Sequence, residues 1–429
     1  MVQTFRNAWK IPELRRKILF TLFIVLLYRL GNAVPVPYVD TNILATYFAQ
    51  LKNTVLGLYN TMSGGAFSLA TIFALSIQPY INASIIIELL TIAIPALERL
   101  AKEDGEEGRK KIQNITRYTT IGLGLLMGFA YYVMLKNYSL LSQTGFVYGL
   151  VIVLTFTAGA SFLMWMGEQI NEFGIGNGIS MILFAGIVSR ASSMVNTVIT
   201  ELYLAINGIM KYWFIVPFTL VLFLAAIVFI VIMTNAERRI PVQYAQRVVG
   251  RKMYGGQSTH IPIKVNMSGV LPVIFASSIL SIPSTIAGFM NVDPDGIMGK
   301  ILSVIRYDHW VYAVLYFFLI MAFNYFYISI QYNPMEIANN LRKNNGTIPG
   351  IRPGKPTAEF IARVVSKVTV VGGIFLAIIA IGPILLSQLM GINISLGGTS
   401  IIIVVGVALD TVRQLESQMM MRHYKGFLE

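Results

Sequence analysis

The chain contains ten runs of mostly apolar residues, separated by shorter polar and basic stretches. Each run approaches the roughly 20 residues with which an α-helix crosses about 30 Å of hydrocarbon. The runs lack the alternation of barrel strands, and only helices or closed barrels span a bilayer. The pattern therefore predicts an all-α polytopic membrane protein with ten transmembrane helices. They fall at about 18–37, 72–96, 118–135, 147–166, 176–189, 213–233, 267–290, 310–330, 364–386 and 401–420.

Composition and charge agree with this prediction. Of the 429 residues, 55% are hydrophobic and only 12% are charged, whereas a soluble protein carries about a quarter of charged residues. Residues 1–17 are polar and basic and the first run is long enough to span, so no removable leader is expected. The formal charge of +13 suggests either a nucleic-acid partner or basic residues concentrated on one side of a membrane.

The distribution of lysine and arginine favours the membrane interpretation. With a cytoplasmic N-terminus, 26 of the 33 lysine and arginine residues fall on the inner side. This asymmetry predicts a multi-pass membrane protein with both termini in the cytoplasm. The connection between the fourth and fifth runs is an exception, because it contains Glu168 and Glu172 and no basic residue. The inner segments are 1–17, 99–117, 235–264, 333–367 and 410–429.

Four of the ten runs are irregular. The second contains Gln78, Pro79 and Asn82, the fifth has only about 14 apolar residues, the seventh contains Pro272 and Pro283, and the tenth turns polar at Asp410. In two halves of five runs, these are the second and fifth of each half. Matched irregular helices point to a central site between inverted repeats, although an ordinary bundle with kinked and short helices is the alternative.

This division predicts the following boundaries. They are a cytoplasmic segment 1–17, an N-terminal half 18–191, an outer connecting loop 192–211, a C-terminal half 212–420 with cytoplasmic loops 235–264 and 333–365, and a tail 421–429.

Little in the sequence suggests catalysis. Cysteine is absent, His260, His309 and His423 are scattered, and no catalytic or nucleotide-binding motif has a suitable context. We therefore expect no enzyme activity, no metal and no cofactor. Ionisable residues within the runs are few, namely Arg29, Glu88 and Asp410 with Arg413. Glu88 is expected to be a water-facing carboxylate at the interface rather than a proton relay.

Three polar segments have two interpretations each. Residues 60–73, which include Gly64 and Gly65, form either a re-entrant segment or a plain outer loop. The basic loops 237–260 and 339–360 are rich in Gly, Pro and Asn and are expected to be exposed. Their charges serve either membrane topology or the docking of partners, including ribosomal RNA.

Six segments in order, covering essentially the whole chain, resemble the SecY family of protein-secretion channels. Ser76, Gln78 and Glu88 depart from the family pattern, where a glycine, an apolar residue and a glutamine are expected. The segments are YRLGNAVPVP (28–37), SGGAFSLATIFALSIQPYINASIIIELL (63–90), WMGEQINEFGIGNGISMILFAGIV (165–188), QSTHIPIKVNMSGVLPVIFASSI (257–279), PGIRPG (349–354) and GGTSIIIVV (397–405).

The resemblance implies two inverted five-helix halves around an hourglass pore that opens across the membrane and sideways to lipid. Residues 60–73 would be a plug, with Gly64, Gly65, Ala66, Phe67, Ser68 and Leu69 at its centre. Gln78, Asn82 and Asn177 would make polar contacts at the lateral gate. The pore ring would comprise Ile77, Ile81, Ile179, Leu183, Ile274 and Ile403.

The resemblance also implies partners. Arg238, Arg239, Arg247, Arg251 and Arg352 would dock the motor ATPase SecA and the ribosome. SecE and SecG would be companion subunits, and preproteins with signal sequences and membrane lipid would contact the pore and its gate. Without the resemblance, a secondary transporter of a small solute is the main rival, since transporters share inverted repeats. A membrane-embedded hydrolase is a third interpretation, which the few histidines disfavour.

Overall fold

The computed structural model describes residues 2–41, 43–44, 46, 60, 63–102, 105–207, 210–244, 247–249, 252–254, 258–289, 309–390 and 398–425. These residues form fourteen helices and five short strands. The helices are α1 Val2–Lys10, α2 Pro12–Gly31, α3 Gln78–Ala93, α4 Pro95–Lys102, α5 Gly105–Asn137, α6 Phe146–Phe173, α7 Gly178–Ser189, α8 Ala191–Ile206, α9 Lys211–Asn235, α10 Leu271–Phe289, α11 Trp310–Gln331, α12 Pro334–Lys343, α13 Lys355–Met390 and α14 Gly398–Lys425. The strands are β1 Glu237–Tyr244, β2 Arg247–Val249, β3 Lys252–Tyr254, β4 Ser258–Lys264 and β5 Gly346–Thr347.

The helical membrane fold is confirmed, whereas the count of ten spans stays a prediction. Within the described residues, seven helical segments are long and apolar enough to cross a bilayer. The pair α3 and α4, bent by 106° between them, adds an eighth if it forms one span. Helix α2 has charged residues at both ends, and the apolar part described for α10 is only Leu271–Ser281. The charges of α2 and the short apolar part of α10 therefore leave these two helices unestablished as spans.

The irregular part of the second run precedes the residues that were predicted to interrupt it. Gln78 begins α3, Pro79 occupies its first turn, and Asn82 lies inside the helix. Proline is tolerated in the first turn because its missing N–H has no helical partner there. The chain from Ser63 to Ile77 forms turns instead, and the sharp bend comes after α3, at Ile94. The second run is therefore irregular, as predicted, but the break in its helix lies before Gln78 and not between Gln78 and Asn82.

The predicted outer loop at 192–211 is also corrected, because most of it is helical. Only Arg190, in a helical conformation, separates α7 from α8. The segment ASSMVNTVITELYLAI contains neither Gly nor Pro, so nothing in its backbone opposes helix continuation. The fifth run is consequently not short, since Gly178–Ile206 together span 29 residues.

The tenth run likewise continues as a helix beyond Asp410. Helix α14 extends from Gly398 to Lys425, and the Arg413 guanidinium lies 3.8 Å from Asp410. Arg413 also donates to the carbonyl of Thr234 at 3.0 Å and to Oδ1 of Asn235 at 2.6 Å. A cation at the carbonyl end of a helix is stabilising, so Arg413 joins α14 to the last turn of α9.

The described residues of the two basic loops include regular secondary structure. In β1, Ile240 and Val242 are buried while the residues between and beside them are exposed, which is the alternation of a half-buried strand. Strand β1 pairs antiparallel with β4 and with β5, so the two loops share one sheet of order β4-β1-β5. The same sheet packs on α12 and α13 through Leu341, Ile348 and Ile361.

A partly buried ion pair accounts for the acidic connection between the fourth and fifth runs. Helix α6 continues to Phe173 and therefore includes Glu168. Arg117 of α5 donates to both carboxylate oxygens of Glu168 at 2.8 Å, and Gln113 donates to one of them at 3.2 Å. A neighbouring helix thus supplies the positive charge that the connection itself lacks.

In each half, the helix of the fifth run begins with a glycine packed against backbone. A Cβ on Gly178 would lie 1.9 Å from the carbonyl oxygen of Gly167 in α6. A Cβ on Gly398 would lie 1.8 Å from the carbonyl oxygen of Ile379 in α13. Both fifth-run helices therefore approach the preceding helix as closely as small-residue contacts in membranes allow.

Candidate pore constriction, plug segment and docking loops

All six residues predicted for the pore ring meet in one apolar cluster. Ile77, Ile81, Leu183, Ile274 and Ile403 are buried members, and Ile179 packs against them half-buried. They come from the start of α3, from α7, from α10 and from α14. These are the four runs that the sequence singles out as irregular. Branched aliphatic side chains from four helices therefore contribute to one apolar cluster.

The GIGNG turn at 174–178 positions the start of α7 beside two other helices. The backbone N–H of Ile175 donates to Oγ1 of Thr21 in α2 at 3.0 Å. The backbone N–H of Gly176, which has φ +86°, donates to Oε1 of Gln414 in α14 at 2.8 Å. Because glycine adopts positive φ without a Cβ penalty, the turn is compatible with this residue in particular. These bonds fix α7 against α14.

The cluster also contains residues that sequence reasoning missed. Ile24 and Tyr28 of α2, Phe73 before α3, Phe275 of α10 and Val407 of α14 are buried in it. Val407 follows Ile403 by one turn, and Phe275 follows Ile274 directly. Two side chains that are four residues apart on a helix share one face. Val407 could therefore have been predicted from its spacing to Ile403.

The described part of the plug segment comprises residues 60 and 63–73. Hydrogen bonds from other elements hold it at Ser63 and at Phe67. The Tyr28 hydroxyl and the Asn32 amide donate to the carbonyl of Ser63 at 3.1 and 3.3 Å. The Tyr131 hydroxyl of α5 donates to the carbonyl of Phe67 at 2.5 Å. The rings of Phe67 and Tyr131 also stack, with centroids 4.5 Å apart. The segment is therefore held mainly by α2 and α5 of the N-terminal half.

Gly64 and Gly65 have backbone conformations that favour glycine. Their φ angles are +69° and +94°. A Cβ on Gly64 would lie 2.7 Å from Oγ of Ser189 and 3.0 Å from the carbonyl oxygen of Gly186, both in α7. Ala66 and Phe67 are buried, Ser68 is half-buried and Leu69 is exposed. The plug segment thus reaches the same helix that contributes Ile179 and Leu183 to the cluster.

Replacing Tyr131 by Phe is expected to loosen the plug segment. The change leaves the buried carbonyl of Phe67 without its donor, at a cost of about 1–3 kcal/mol. That cost corresponds to roughly 5- to 100-fold faster amide hydrogen exchange in residues 63–73 if local opening governs exchange. Tyr132→Phe is the control, because the Tyr132 hydroxyl makes no hydrogen bond within the described part of the chain. Equal exchange in the two variants would contradict an anchoring role for Tyr131.

The three predicted lateral-gate residues are not placed alike. Gln78 is buried in the first turn of α3, and Asn82 is half-buried one turn later. Asn177 is exposed and caps α7, where its Oδ1 accepts from the backbone N–H of Ser180 at 3.2 Å. The structure thus gives Asn177 a local function in starting a helix, and a polar contact among the three stays a prediction.

The predicted docking arginines do not all lie on the shared sheet. Arg238 and Arg239 are exposed on β1, and Arg239 lies 2.7 Å from Glu237. Arg352 is exposed in the PGIRPG turn, where Gly350 and Gly354 have φ +80° and +99°. Arg247 belongs to β2, and Arg251 lies outside the described residues. Pairing of β1 with β5 brings the two basic loops to one end of the molecule.

Comparison with known proteins identifies the family. A sequence model of the SecY family matches residues 71–412. The chain is 41% identical to the protein translocase subunit SecY of Thermotoga maritima and 42% identical to that of Thermus thermophilus, over 100% of this chain and 98% of each relative.

Solved structures show the same fold at low identity. A protein-conducting channel aligns with a TM-score of 0.62 at 17% identity, and Sec61 from a canine ribosome–channel complex aligns with a TM-score of 0.60 at 16% identity. Each alignment covers 96% of both chains. The match therefore extends over the whole fold and not only the apolar cluster. The chain belongs to the SecY family.

Proposed function

We propose that this chain is the central subunit of a protein translocase. It passes unfolded secretory polypeptides across the cytoplasmic membrane and releases transmembrane segments sideways into lipid. The relatives, which match over nearly their full length, are named translocase subunits, and the fold matches that of a protein-conducting channel. The observation that carries the proposal is the convergence of six aliphatic side chains from α3, α7, α10 and α14.

An aliphatic constriction suits a pore for polypeptides. Branched apolar side chains exclude water and ions when they touch one another, and they yield around side chains of any chemistry. A small-solute carrier needs a different site, with fixed polar or charged groups that recognise one solute. The buried side chains of the described residues include no acid and no base. The lack of buried charges in this part of the chain suits non-selective passage better than recognition of a charged solute.

The plug segment is proposed to close the channel on one side of the constriction. Phe73 at its end is a member of the apolar cluster, and Ile77 follows within the same series of turns. Displacement of the segment would break the bonds from Tyr28, Asn32 and Tyr131 to its backbone. Each bond contributes about 1 kcal/mol net, so an incoming polypeptide can offset their loss.

The partners are proposed from family membership and from the charged end of the molecule. The ribosome and SecA would dock on the sheet β4-β1-β5 and the turn that carries Arg352, while SecE and SecG would complete the complex. A structural relative is a channel bound to a ribosome. This end would face the cytoplasm, with both chain termini, and the channel itself is proposed to need no cofactor and to catalyse no reaction.

Disulfide trapping tests the proposed path. The chain has no cysteine, so Ile274→Cys, Ile81→Cys and Leu224→Cys each introduce a single thiol. Leu224 is an exposed residue in the middle of α9 and serves as the control. A secretory precursor with one cysteine, arrested midway, is expected to form adducts at positions 274 and 81 but not at 224.

The outcomes separate the candidate functions. Adducts at both ring positions alone would establish a polypeptide path through the cluster. Confirmed arrest without an adduct at either ring position would exclude the constriction as part of the path. A complex that transports no precursor at all would favour the small-solute transporter.

A further inference from the structure

The first helix presents an aromatic face that no described residue covers. Phe5 and Trp9 lie one turn apart on α1, and their exposed fractions are 44% and 48%. Residues separated by four positions share one side of a helix. Large exposed aromatic side chains in such a row mark a surface that contacts a partner or a membrane.

The other side of α1 fixes how this face is oriented. Ala8 is fully buried in a small cluster with Leu14, Ile175 and Leu415. The Thr4 hydroxyl donates to Oε1 of Glu416 in α14 at 3.0 Å. Thr4 and Ala8 therefore turn toward α14, and Phe5 and Trp9 occupy a neighbouring side that points away from this contact.

The position of α1 along the chain places its aromatic face at a membrane surface. Only Ile11 separates α1 from α2. Helix α2 exposes an apolar stripe at the spacing of a lipid-facing helix side, made of Leu19, Leu22, Phe23, Leu26 and Leu30. Since α1 ends where α2 begins, it lies at the level where the hydrocarbon gives way to headgroups. Tryptophan and basic amphipathic helices favour this level.

Charge identifies the lipid class. Arg6 and Lys10 are exposed on α1, one turn apart and adjacent to the aromatic pair, and Arg15 and Arg16 are exposed at the start of α2. Glu13 is the only acidic residue in 1–17. Basic residues at a membrane surface attract anionic lipids, each contributing favourably to binding. A zwitterionic headgroup offers no net charge to match this surface.

We propose that α1 is an interfacial helix that binds anionic phospholipid headgroups. Phe5 and Trp9 insert at the level of the headgroups, and Arg6 and Lys10 contact the phosphates. The same helix braces α14 through Thr4 and Ala8, so the lipid site adjoins the helix that carries Ile403. The proposal does not depend on what passes through the channel.

Fluorescence quenching in reconstituted full-length protein tests the lipid site. The chain has four tryptophans. The triple variant Trp165→Phe, Trp213→Phe, Trp310→Phe retains only Trp9. Vesicles contain equal parts of phosphatidylglycerol and phosphatidylcholine, with the bromine label on the acyl chains of one lipid or of the other. Composition then stays constant, and only the identity of the quenching neighbour changes.

Brominated phosphatidylglycerol is expected to quench Trp9 at least about twice as strongly as brominated phosphatidylcholine. Arg6→Gln with Lys10→Gln should remove the difference, and added salt should reduce it because exposed charges are screened. Free inorganic phosphate should reduce it no more than chloride does at the same ionic strength, which separates a lipid headgroup from a soluble phosphate. A second variant that retains only Trp165, exposed on α6 beside Glu168, is the control and should show no preference.

Two results would overturn the proposal. Absence of quenching by either lipid would mean that another protein or water, not lipid, covers the aromatic face. Equal quenching by the two lipids would mean membrane contact without recognition of anionic headgroups. Should the multiple tryptophan replacement prevent folding, a photoreactive benzoylphenylalanine at Phe5 in the otherwise unchanged chain gives the same decision. Its lipid adducts, identified by mass spectrometry, must then be enriched in phosphatidylglycerol.

Discussion

Gly178→Ala and Gly398→Ala are each expected to destabilise the folded chain by about 3 kcal/mol or more. A Cβ at these positions would lie 1.9 Å from the carbonyl oxygen of Gly167 and 1.8 Å from that of Ile379. Both contacts are with backbone inside a helix, which cannot move aside as a flexible side chain does. Relief requires α7 to separate from α6, or α14 from α13, and each separation also loosens the apolar cluster.

Two further glycines on membrane helices provide matched controls. A Cβ on Gly122 in α5 or on Gly382 in α13 would meet nothing within 4 Å in the described structure. Alanine is favoured over glycine in a helix by about 1 kcal/mol, so these variants should be neutral or slightly more stable. Denaturant unfolding of the purified protein in detergent, followed by circular dichroism, measures the difference. Equal stability of all four variants would disprove the close backbone approach.

The two close contacts also support the division of the chain into related halves. Gly178 begins the helix of the fifth run and touches the fourth, and Gly398 begins that of the tenth run and touches the ninth. In both places the helix starts with a glycine that packs against the backbone of the preceding membrane helix. The sequence alone indicated these halves only through irregular runs, which are common in membrane bundles.

The parts of the fold that follow from hydrophobic runs were predictable from sequence. Bilayer thickness imposes a run length, and the requirement for internal hydrogen bonds imposes a helix, so α5, α6, α9, α11 and α13 were expected near their observed positions. The ends of helices were less predictable, because water and protein contacts outside the bilayer set them. For this reason α8 continues the helix where a loop was expected at 192–211.

The cytoplasmic strands illustrate a second limit. Loop 235–264 is basic and contains glycines, which resembles a flexible connection when it is read alone. Its alternating residues Ile240 and Val242 form a buried face because they pack against a distant part of the chain, which comprises α12, β5 and α13. Pairing over about 100 residues, as between Gln243 and Thr347, leaves little local signal.

In the candidate site, too, the apolar residues were easier to predict than the polar ones. The resemblance to a family predicted the six ring residues, and the structure places them in or against one apolar cluster. Their arrangement as a pore ring stays a prediction. Polar residues were harder to assign, because a short amide side chain often bonds to nearby backbone. Asn177 does so as the cap of α7. The pairing of Arg117 with Glu168 was not foreseen, since 51 residues separate the two in sequence.

Ile81→Asn is expected to make the closed channel leak ions. An amide in place of a buried aliphatic group favours water by several kcal/mol, so it stabilises water within the constriction. A decrease of only about 1.4 kcal/mol in the barrier corresponds to a tenfold higher ion flux. Ion efflux from proteoliposomes that contain the protein with its partner subunits is therefore expected to rise at least about tenfold.

Ile87→Asn is the matched control, because Ile87 is equally buried in the same helix but does not belong to the apolar cluster. Both substitutions introduce the same amide and a similar cost in stability, and only the one at Ile81 places it among side chains from α7, α10 and α14. A leak in the Ile81 variant alone means that the cluster is the barrier to ions. Equal leaks would assign the effect to general destabilisation of α3, and a tight Ile81 variant would place the ion barrier elsewhere, with the plug segment as the next structure to alter.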